Sequence, residues 1–170
     1  LRTHSIKSLY KPSVRIDQTP MKGSSSSNIA TYLGIFDEIR KLFSETVSAL
    51  ARGLKKGDFS THTKGGRCEE CTGRGQIRIG MDFLPDVCVQ CPACSGLGYQ
   101  SEVLECLWKG LNIADVLSFT ANEAIPVFEK HRKISLKLDI LSSIGLDYIQ
   151  LGQTTSSLSG GELQRLKLAR

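Results

Sequence analysis

The chain has 170 residues and a formal net charge of +5, so it is long enough for one ordinary domain or two small ones. Aromatic residues make up only 6% of it, which argues against a large aromatic core. Neither a signal-peptide pattern nor a long apolar run occurs in this sequence. We therefore expect a reducing, cytoplasmic setting without membrane association.

The positive charge is concentrated before residue 67. Residues 1–66 hold eleven Lys/Arg against five Asp/Glu, whereas residues 67–170 carry a net charge of −1. A basic stretch favours an anionic partner, nucleic acid first, although a solvated surface without a partner has the same composition. Residue 1 is Leu, and Arg170 falls within an expected helix, so we expect a piece of a longer protein.

The chain begins with an irregular basic segment, residues 1–28, which contains a serine run typical of a linker. Apolar residues then recur at helical spacing from Ile35 to Leu50, and Gly53 supplies a stop signal. This pattern predicts one helix over residues 35–52.

Two matched cysteine repeats follow. Residues 68–75 (the first knuckle) read C-E-E-C-T-G-R-G, and residues 91–98 (the second knuckle) read C-P-A-C-S-G-L-G. Two thiolates at this spacing converge on one ion, and a second pair completes a tetrahedron. Glycines after each pair allow the backbone to turn back and aim its amides at sulfur. The repeats predict one structural zinc ion held by Cys68, Cys71, Cys91 and Cys94.

Disulfides, a redox pair or an iron–sulfur cluster fit the repeats less well. Cys88 and Cys91 also form a C-x-x-C pair, but the repeat symmetry selects Cys91 and Cys94. Cys88 and Cys106 are then predicted to be small buried hydrophobic residues. His62 is predicted to be a loop residue.

A β-ribbon is expected between the knuckles. Apolar residues alternate with polar or small ones from Ile77 to Phe83, Pro85-Asp86 supplies a turn signal, and residues 87–89 resemble a return strand. Such a ribbon would bring the four thiols together at its base. Residues 102–108 predict a further strand.

Two capped helices are predicted next. Asn112 begins a short helix over residues 112–117, and Thr120 forms a capping box with Glu123 for the following helix. Pro126 should kink or shorten that second helix.

A longer helix is predicted over residues 132–144, with Gly145 as its C-cap. The residues expected to face inward are Ile134, Leu138, Leu141 and Ile144. Residues 147–153 are expected to be extended.

The last predicted helix begins at Ser159 and has the features of an anion site. Ser159 can cap the helix and donate its hydroxyl, while Gly160 and Gly161 leave the first amides uncovered. The positive end of the helix dipole adds to these donors, so the tip suits a terminal phosphate. An ordinary N-cap beside two glycines is the alternative, which the following Gln164-Arg165 and Leu/Ala stripe disfavour.

Residues 158–169 resemble the signature motif of ABC ATPases, and together with the knuckles they are similar to the UvrA family. Members of that family are the damage-sensing subunits of bacterial excision nucleases. The C-terminal half of the family is most similar, and the resemblance covers most of the chain. The similar stretches are residues 30–32, 36–40, 64–68, 83–87, 112–117 and 158–165.

The resemblance implies an α+β fold, namely the helical signature or insertion domain of an ABC ATPase carrying a small zinc-stabilised β-ribbon module. It implies five parts in chain order. They are a basic segment or linker (1–28), a helical part of the signature domain (29–66), the zinc-binding ribbon module (67–108), a second helical part (109–157) and the signature motif with the start of its helix (158–170).

The resemblance also implies a role in ATP-dependent damage recognition during nucleotide excision repair. The implied partners are double-stranded DNA, the rest of the same ABC ATPase chain, a UvrB-like protein and a second copy of the full-length protein. The residues implied to contact ATP in trans are Leu158, Ser159, Gly160, Gly161, Glu162 and Gln164. Neither a Walker A phosphate loop nor a Walker B strand occurs in the sequence. We therefore expect ATP and Mg²⁺ to act only in the full-length protein, and no hydrolysis by this chain alone.

A lesion sensor must grip phosphates and test duplex deformability, because lesions vary in their base chemistry. On charge and position alone, the candidate DNA-contacting residues are Lys7, Lys11, Arg15, Lys22, Arg40, Lys41, Lys64 and Arg67.

Other readings share part of the pattern. The repeat also resembles the cysteine-rich region of DnaJ-type cochaperones, but that region has four copies, and this chain has two copies and no HPD tripeptide. A UvrA-like paralogue acting in drug resistance would keep the knuckles, so this alternative stays open. A fragment without independent activity is a third possibility.

Overall fold

Short helices flank one two-stranded β-ribbon in the computed structural model, which describes residues 27–81 and 84–169. The predicted α+β class is confirmed. The α-helices are α1 (Ile29–Tyr32), α2 (Phe36–Ser44), α3 (Val47–Ala51), α4 (Ser101–Leu104), α5 (Ile113–Ser118), α6 (Ala121–Val127), α7 (Arg132–Ser143) and α8 (Gly160–Leu168). Strands β1 (Gln76–Met81) and β2 (Leu84–Gln90) form the ribbon, and 3-10 turns cover Lys56–Phe59 and Thr155–Ser157.

The helices before and after the ribbon bury their side chains in one shared apolar core. Phe43, Phe59 and Leu138 are fully buried in it, and the ring of Trp108 stacks on that of Phe128 at a centroid distance of 5.3 Å. The two halves are also joined through the backbone, since the Ile29 amide donates to the Gln153 carbonyl at 3.0 Å. The helical segments therefore form one body from which the ribbon projects.

The ribbon is antiparallel, with Ile77 opposite Val89 and Ile79 opposite Val87. Its attachment to the helical body is short. Arg67 and Tyr99 form an isolated bridge, the Gln100 amide donates to the Gly66 carbonyl at 2.9 Å, and the Tyr99 ring is buried in the helical core.

Several predicted helix boundaries are confirmed. Asn112 caps α5 by accepting a hydrogen bond from the Asp115 amide at 2.9 Å, and Thr120 caps α6 by accepting from the Glu123 amide at 3.2 Å. Helix α6 ends one residue after Pro126, as expected from the missing amide proton of proline. In α7 the buried residues are Ile134, Leu138 and Leu141, whereas Ile144, also predicted to face inward, is only partly buried. Ile144 is the C-cap residue, and the predicted cap Gly145 follows it with a φ of +68°.

Four predictions were wrong in detail. Residues 35–52 form two helices, α2 and α3, because the Thr46 hydroxyl accepts from the Ala49 amide and starts a new helix. Residues 102–108 do not form a strand, because Val103 and Cys106 are both buried at a helical spacing of three, and α4 precedes a turn. Residues 85–86 lie within β2 rather than in a turn. Residues 147–153 are mostly turns held by isolated bridges, one of them Thr120 to Gln150.

The candidate DNA-contacting residues Lys7, Lys11, Arg15 and Lys22, with most of the predicted linker, lie outside the described residues. Within the described part of the chain, no helix combines the length and apolarity needed to cross a bilayer.

Candidate metal centre and signature helix

Four cysteine sulfurs converge at the base of the ribbon. The Sγ atoms of Cys68 and Cys91 lie 3.9 Å apart, those of Cys71 and Cys94 lie 3.6 Å apart, and all four lie within 4.8 Å of one another. All four residues are buried. A tetrahedral ion with metal–sulfur bonds near 2.3 Å has sulfur–sulfur edges of about 3.8 Å. The cluster can therefore hold one metal ion.

Backbone amides point at the second sulfur of each knuckle. The Gly75 amide donates to Cys71 Sγ at 3.2 Å, and the Gly98 amide donates to Cys94 Sγ at 3.3 Å. These donors occupy equivalent positions in the two repeats and stabilise negative charge on sulfur.

The knuckles also complete each other. The Cys68 amide donates to the Gly98 carbonyl at 2.9 Å, and the Cys91 amide donates to the Gly75 carbonyl at 2.9 Å. The first cysteine of each repeat is thus held by the last glycine of the other repeat. This exchange gives the module an approximate two-fold symmetry.

Two of the repeat glycines are required by space as well as by conformation. Gly75 has a φ of +71°, and a Cβ there would lie 2.2 Å from the Gly96 carbonyl oxygen. Gly98 has a φ of +78°, and its Cβ would lie 2.7 Å from the Gly73 carbonyl oxygen. Any side chain at these positions would push the two knuckles apart.

Burial and mutual repulsion disfavour ionisation of the clustered thiols in the absence of a cation. Burial raises the pKa of the Cys94 thiol to about 12. Burial also opposes ionisation of Cys71, but hydrogen bonds from the Gly75 amide and from neighbouring thiols outweigh it and lower the pKa of Cys71. Thiolates crowded into one buried cluster repel one another, and a divalent ion removes that repulsion.

The structure separates Cys88 from this cluster. Cys88 lies on β2 opposite Arg78 and is exposed, so its predicted burial was wrong. A two-stranded ribbon has no second layer to cover it, which is why the apolar-looking strand stays open to solvent. Cys106 is buried as predicted, and His62 lies in a turn, outside the sulfur cluster.

Helix α8 begins with a reciprocal capping box. The Ser159 hydroxyl accepts from the Glu162 amide at 3.4 Å, and Glu162 Oε2 accepts from the Ser159 amide at 2.7 Å and from its hydroxyl at 2.8 Å. Gly160 and Gly161 are exposed, and beyond the adjoining residues and backbone of their own helix no described atom lies within 4 Å of where a Cβ would stand. An anion can therefore approach the backbone of the first turn closely.

Two side chains tie this helix to the helical body. Arg165 Nη1 donates to the Gly145 carbonyl at 2.9 Å, at the end of α7, and the Tyr148 hydroxyl donates to Glu162 Oε1. The hydrogen bond from Tyr148 is the largest effect that lowers the pKa of Glu162, so this carboxylate stays ionised within its capping box.

Comparisons with known proteins match both features. No protein-family model matches the chain. UvrABC system protein A of Lactiplantibacillus plantarum is 56% identical over 92% of this chain and 16% of its own length. The protein of the same name from Aquifex aeolicus is 54% identical over 92% of the chain and 17% of its own length. The crystal structure of UvrA2 from Deinococcus radiodurans superposes with a TM-score of 0.82 at 49% identity, covering 92% of this chain and 19% of that one.

The chain belongs to the UvrA family. It spans 16–17% of the length of these UvrABC relatives, so it corresponds to one segment of them. The matches cover 92% of the chain, far more than the two knuckles, which a two-repeat cochaperone module does not explain.

The described DNA-contact candidates of this UvrA segment differ in exposure. The Arg40 side chain is only 19% exposed, pairs with Asp37 and lies over the Phe36 ring. The Arg67 side chain is 21% exposed, whereas that of Lys41 is 61% exposed and Lys64 is also exposed. DNA contact by these residues stays a prediction.

Sequence reasoning missed two residues of the UvrA segment. Tyr148 lies fourteen positions before Glu162, and no local pattern marks their contact. Arg74 lies within the first knuckle at a position that the repeat leaves variable, and it is exposed.

Replacing one ligand should abolish stoichiometric metal binding. We expect Cys94→Ala to lose the ion, because three thiolates leave one coordination position open in a closed structural site. Cys88→Ala is the matched control and should retain one ion per chain. Elemental analysis of both purified variants measures the metal content per chain. Loss of the ion from Cys88→Ala but not from Cys94→Ala would show that Cys88, rather than Cys94, is a ligand.

Adding one methyl group beside the sulfurs should weaken the site. We expect Gly75→Ala to lower metal affinity by about 10–100-fold, since it removes the geometry that aims an amide at Cys71. Gly80→Ala on the same strand is the control, because a Cβ there meets nothing closer than Asp86 at 3.7 Å. Competition with a chelating dye measures the metal affinity of both variants. Equal affinities would show that metal binding does not depend on the close contact between the two knuckles at Gly75.

Proposed function

We propose that this chain is a zinc-braced, DNA-contacting segment of a damage-recognition ATPase of nucleotide excision repair. One observation carries the proposal: the chain contains both a four-sulfur centre and an open signature-type helix tip. The same chain matches UvrA proteins over 92% of its length. We include in this proposal the division of the chain into five parts, with boundaries after residues 28, 66, 108 and 157.

Zinc is the ion that the donor set favours. Four thiolates in tetrahedral arrangement suit zinc or an iron–sulfur centre. A cluster of several irons holds its cysteines farther apart than one ion does, and the shortest sulfur pairs here lie 3.6 and 3.9 Å apart. When bound, the ion neutralises the sulfurs and fixes the knuckles; it supplies no reaction step.

The α8 tip supports a role with ATP in the full-length protein. The capping box occupies the Glu162 amide, which leaves the Gly160 and Gly161 amides to face a phosphate. We propose that this tip closes over a nucleotide and its Mg²⁺ held by another lobe, through Leu158, Ser159, Gly160, Gly161, Glu162 and Gln164. Two contacts would pass the movement of this tip to the helical body, because Arg165 of α8 donates to the Gly145 carbonyl and Tyr148 of the body donates to Glu162 of α8.

DNA is the proposed substrate, and a UvrB-like protein and a second full-length copy are the proposed protein partners. The net positive charge supports an anionic partner. The exposed Lys41 and Lys64 are available for phosphate contact, and family membership supports the remaining assignments.

The zinc-loaded chain should bind duplex DNA with a salt dependence. We expect log affinity to fall linearly with log salt, with a slope near −0.9 per phosphate contacted. Removing the metal with a chelator should weaken binding, because the knuckle loops lose their fixed geometry. Fluorescence anisotropy over a salt series, on intact and lesion-bearing duplexes, measures both effects. Absent or salt-independent binding would contradict DNA contact by this chain.

The repair role has a separate test in a chimera. The corresponding segment of UvrABC system protein A from Lactiplantibacillus plantarum is replaced by this chain, which is 56% identical to it over 156 residues. We expect the chimera to restore ultraviolet survival to a strain lacking UvrA, and a chimera with Cys94→Ala to fail. A stable, metal-loaded chimera that restores nothing would favour a paralogue with another role.

A further inference from the structure

A cleft of about 770 Å³ lies between the knuckles and the helical body. The knuckle loops form one wall, and helix α5 with the turn around Gln150 forms the other. Its volume falls within the range of ligand-binding clefts. Neither the capping box of α8 nor the sulfur cluster uses this space.

The charged residues that line the cleft are all basic. Arg67 and Arg74 contribute guanidinium groups and His62 an imidazole, and no carboxylate occurs among the described lining residues. Glu69 is the ion-pair partner of Arg67, at a long 3.6 Å, and Arg67 Nε is buried with no hydrogen-bond partner among the described residues. The cleft lining therefore carries net positive charge, and Glu69 pairs with one of its two guanidinium groups, that of Arg67.

Side chains, rather than backbone amides, are the groups that the walls offer to a ligand. The amides of Gly73, Gly75, Gly96 and Gly152 already donate hydrogen bonds within the protein, whereas Thr61 brings a hydroxyl to the cleft. Hydroxyls and guanidinium groups are suited to phosphate oxygens, which accept hydrogen bonds from both.

Residues at equivalent positions of the two knuckles differ in charge. Arg74 is the seventh residue of the first knuckle, and Leu97 is the seventh residue of the second. Both are exposed and both line the cleft. One knuckle thus presents a cation and the other an apolar side chain of 46% exposure to the same space.

We propose that this cleft holds a stretch of phosphodiester backbone of duplex DNA, with Arg74 contacting a phosphate and Leu97 lying against the sugar. This inference rests on the proposed DNA function and gives it a location. Because both knuckle loops are joined at the sulfur cluster, Arg74 and Leu97 are held in a fixed arrangement on the same wall of the cleft.

Paired substitutions test the assignment with opposite expected signs. Arg74→Leu should weaken duplex binding by the zinc-loaded chain about tenfold at low salt and make the salt slope shallower by about one. Leu97→Arg should tighten binding and make the slope steeper by a similar amount, because it adds a cation at the equivalent position. Arg132→Leu, the same change on the exposed start of α7 and outside the cleft, is the matched control and should shift neither quantity comparably.

Elemental analysis and thermal unfolding establish that each variant is folded and holds its ion. Competition with ATP and with inorganic phosphate separates a backbone site from a site for free phosphate. A duplex should compete far better than either small anion, and equal competition by ATP or phosphate would overturn the assignment to DNA.

The outcomes separate the two proposals. Duplex binding that Arg74→Leu lowers and Leu97→Arg raises supports the cleft. Binding that neither variant changes, or that Arg132→Leu changes as much, overturns the cleft while leaving DNA contact intact. No duplex binding by the unaltered zinc-loaded chain overturns both.

Discussion

Convergence of four sulfurs is the constraint on which the ribbon module depends. A two-stranded ribbon is at best marginally stable in water, and here it exposes Ile79, Met81 and Val87 on one face. Apart from Ile77, no apolar residue of the described ribbon packs against the cysteine cluster. Metal–thiolate bonds at this cluster would therefore supply the stabilisation that a hydrophobic core supplies elsewhere.

The helical body uses a different physical principle. Phe43, Phe59 and Leu138 are removed from solvent in one continuous core, which the hydrophobic effect alone can stabilise. The two parts meet at a narrow junction. A Cβ on Gly66 would lie 1.4 Å from the Asp58 carbonyl oxygen, so the segment entering the first knuckle is pressed against the body.

The sequence was most informative where a local rule acts alone. Three predicted features depend only on neighbours in the chain: the capping residues Asn112 and Thr120, the alternation from Ile77 to Met81, and the repeat that pairs Cys68 with Cys91. Prediction from the sequence was wrong where burial decides the structure. Residues 102–108 have a strand-like composition, but Val103 and Cys106 are both buried in the core, which requires a helical turn. The contact from Tyr148 to Glu162 and the cleft position of Arg74 are tertiary, so no spacing rule predicts them.

The exchange of carbonyls between the knuckles has a consequence for how the module can change over generations. Each repeat depends on the other for the hydrogen bond that holds its first cysteine, so neither works as a spare copy. A damaging substitution in either repeat disables both together. Natural variation should therefore keep or discard the pair as a unit, and drift should concentrate at the positions that face outward, where Arg74 and Leu97 already differ.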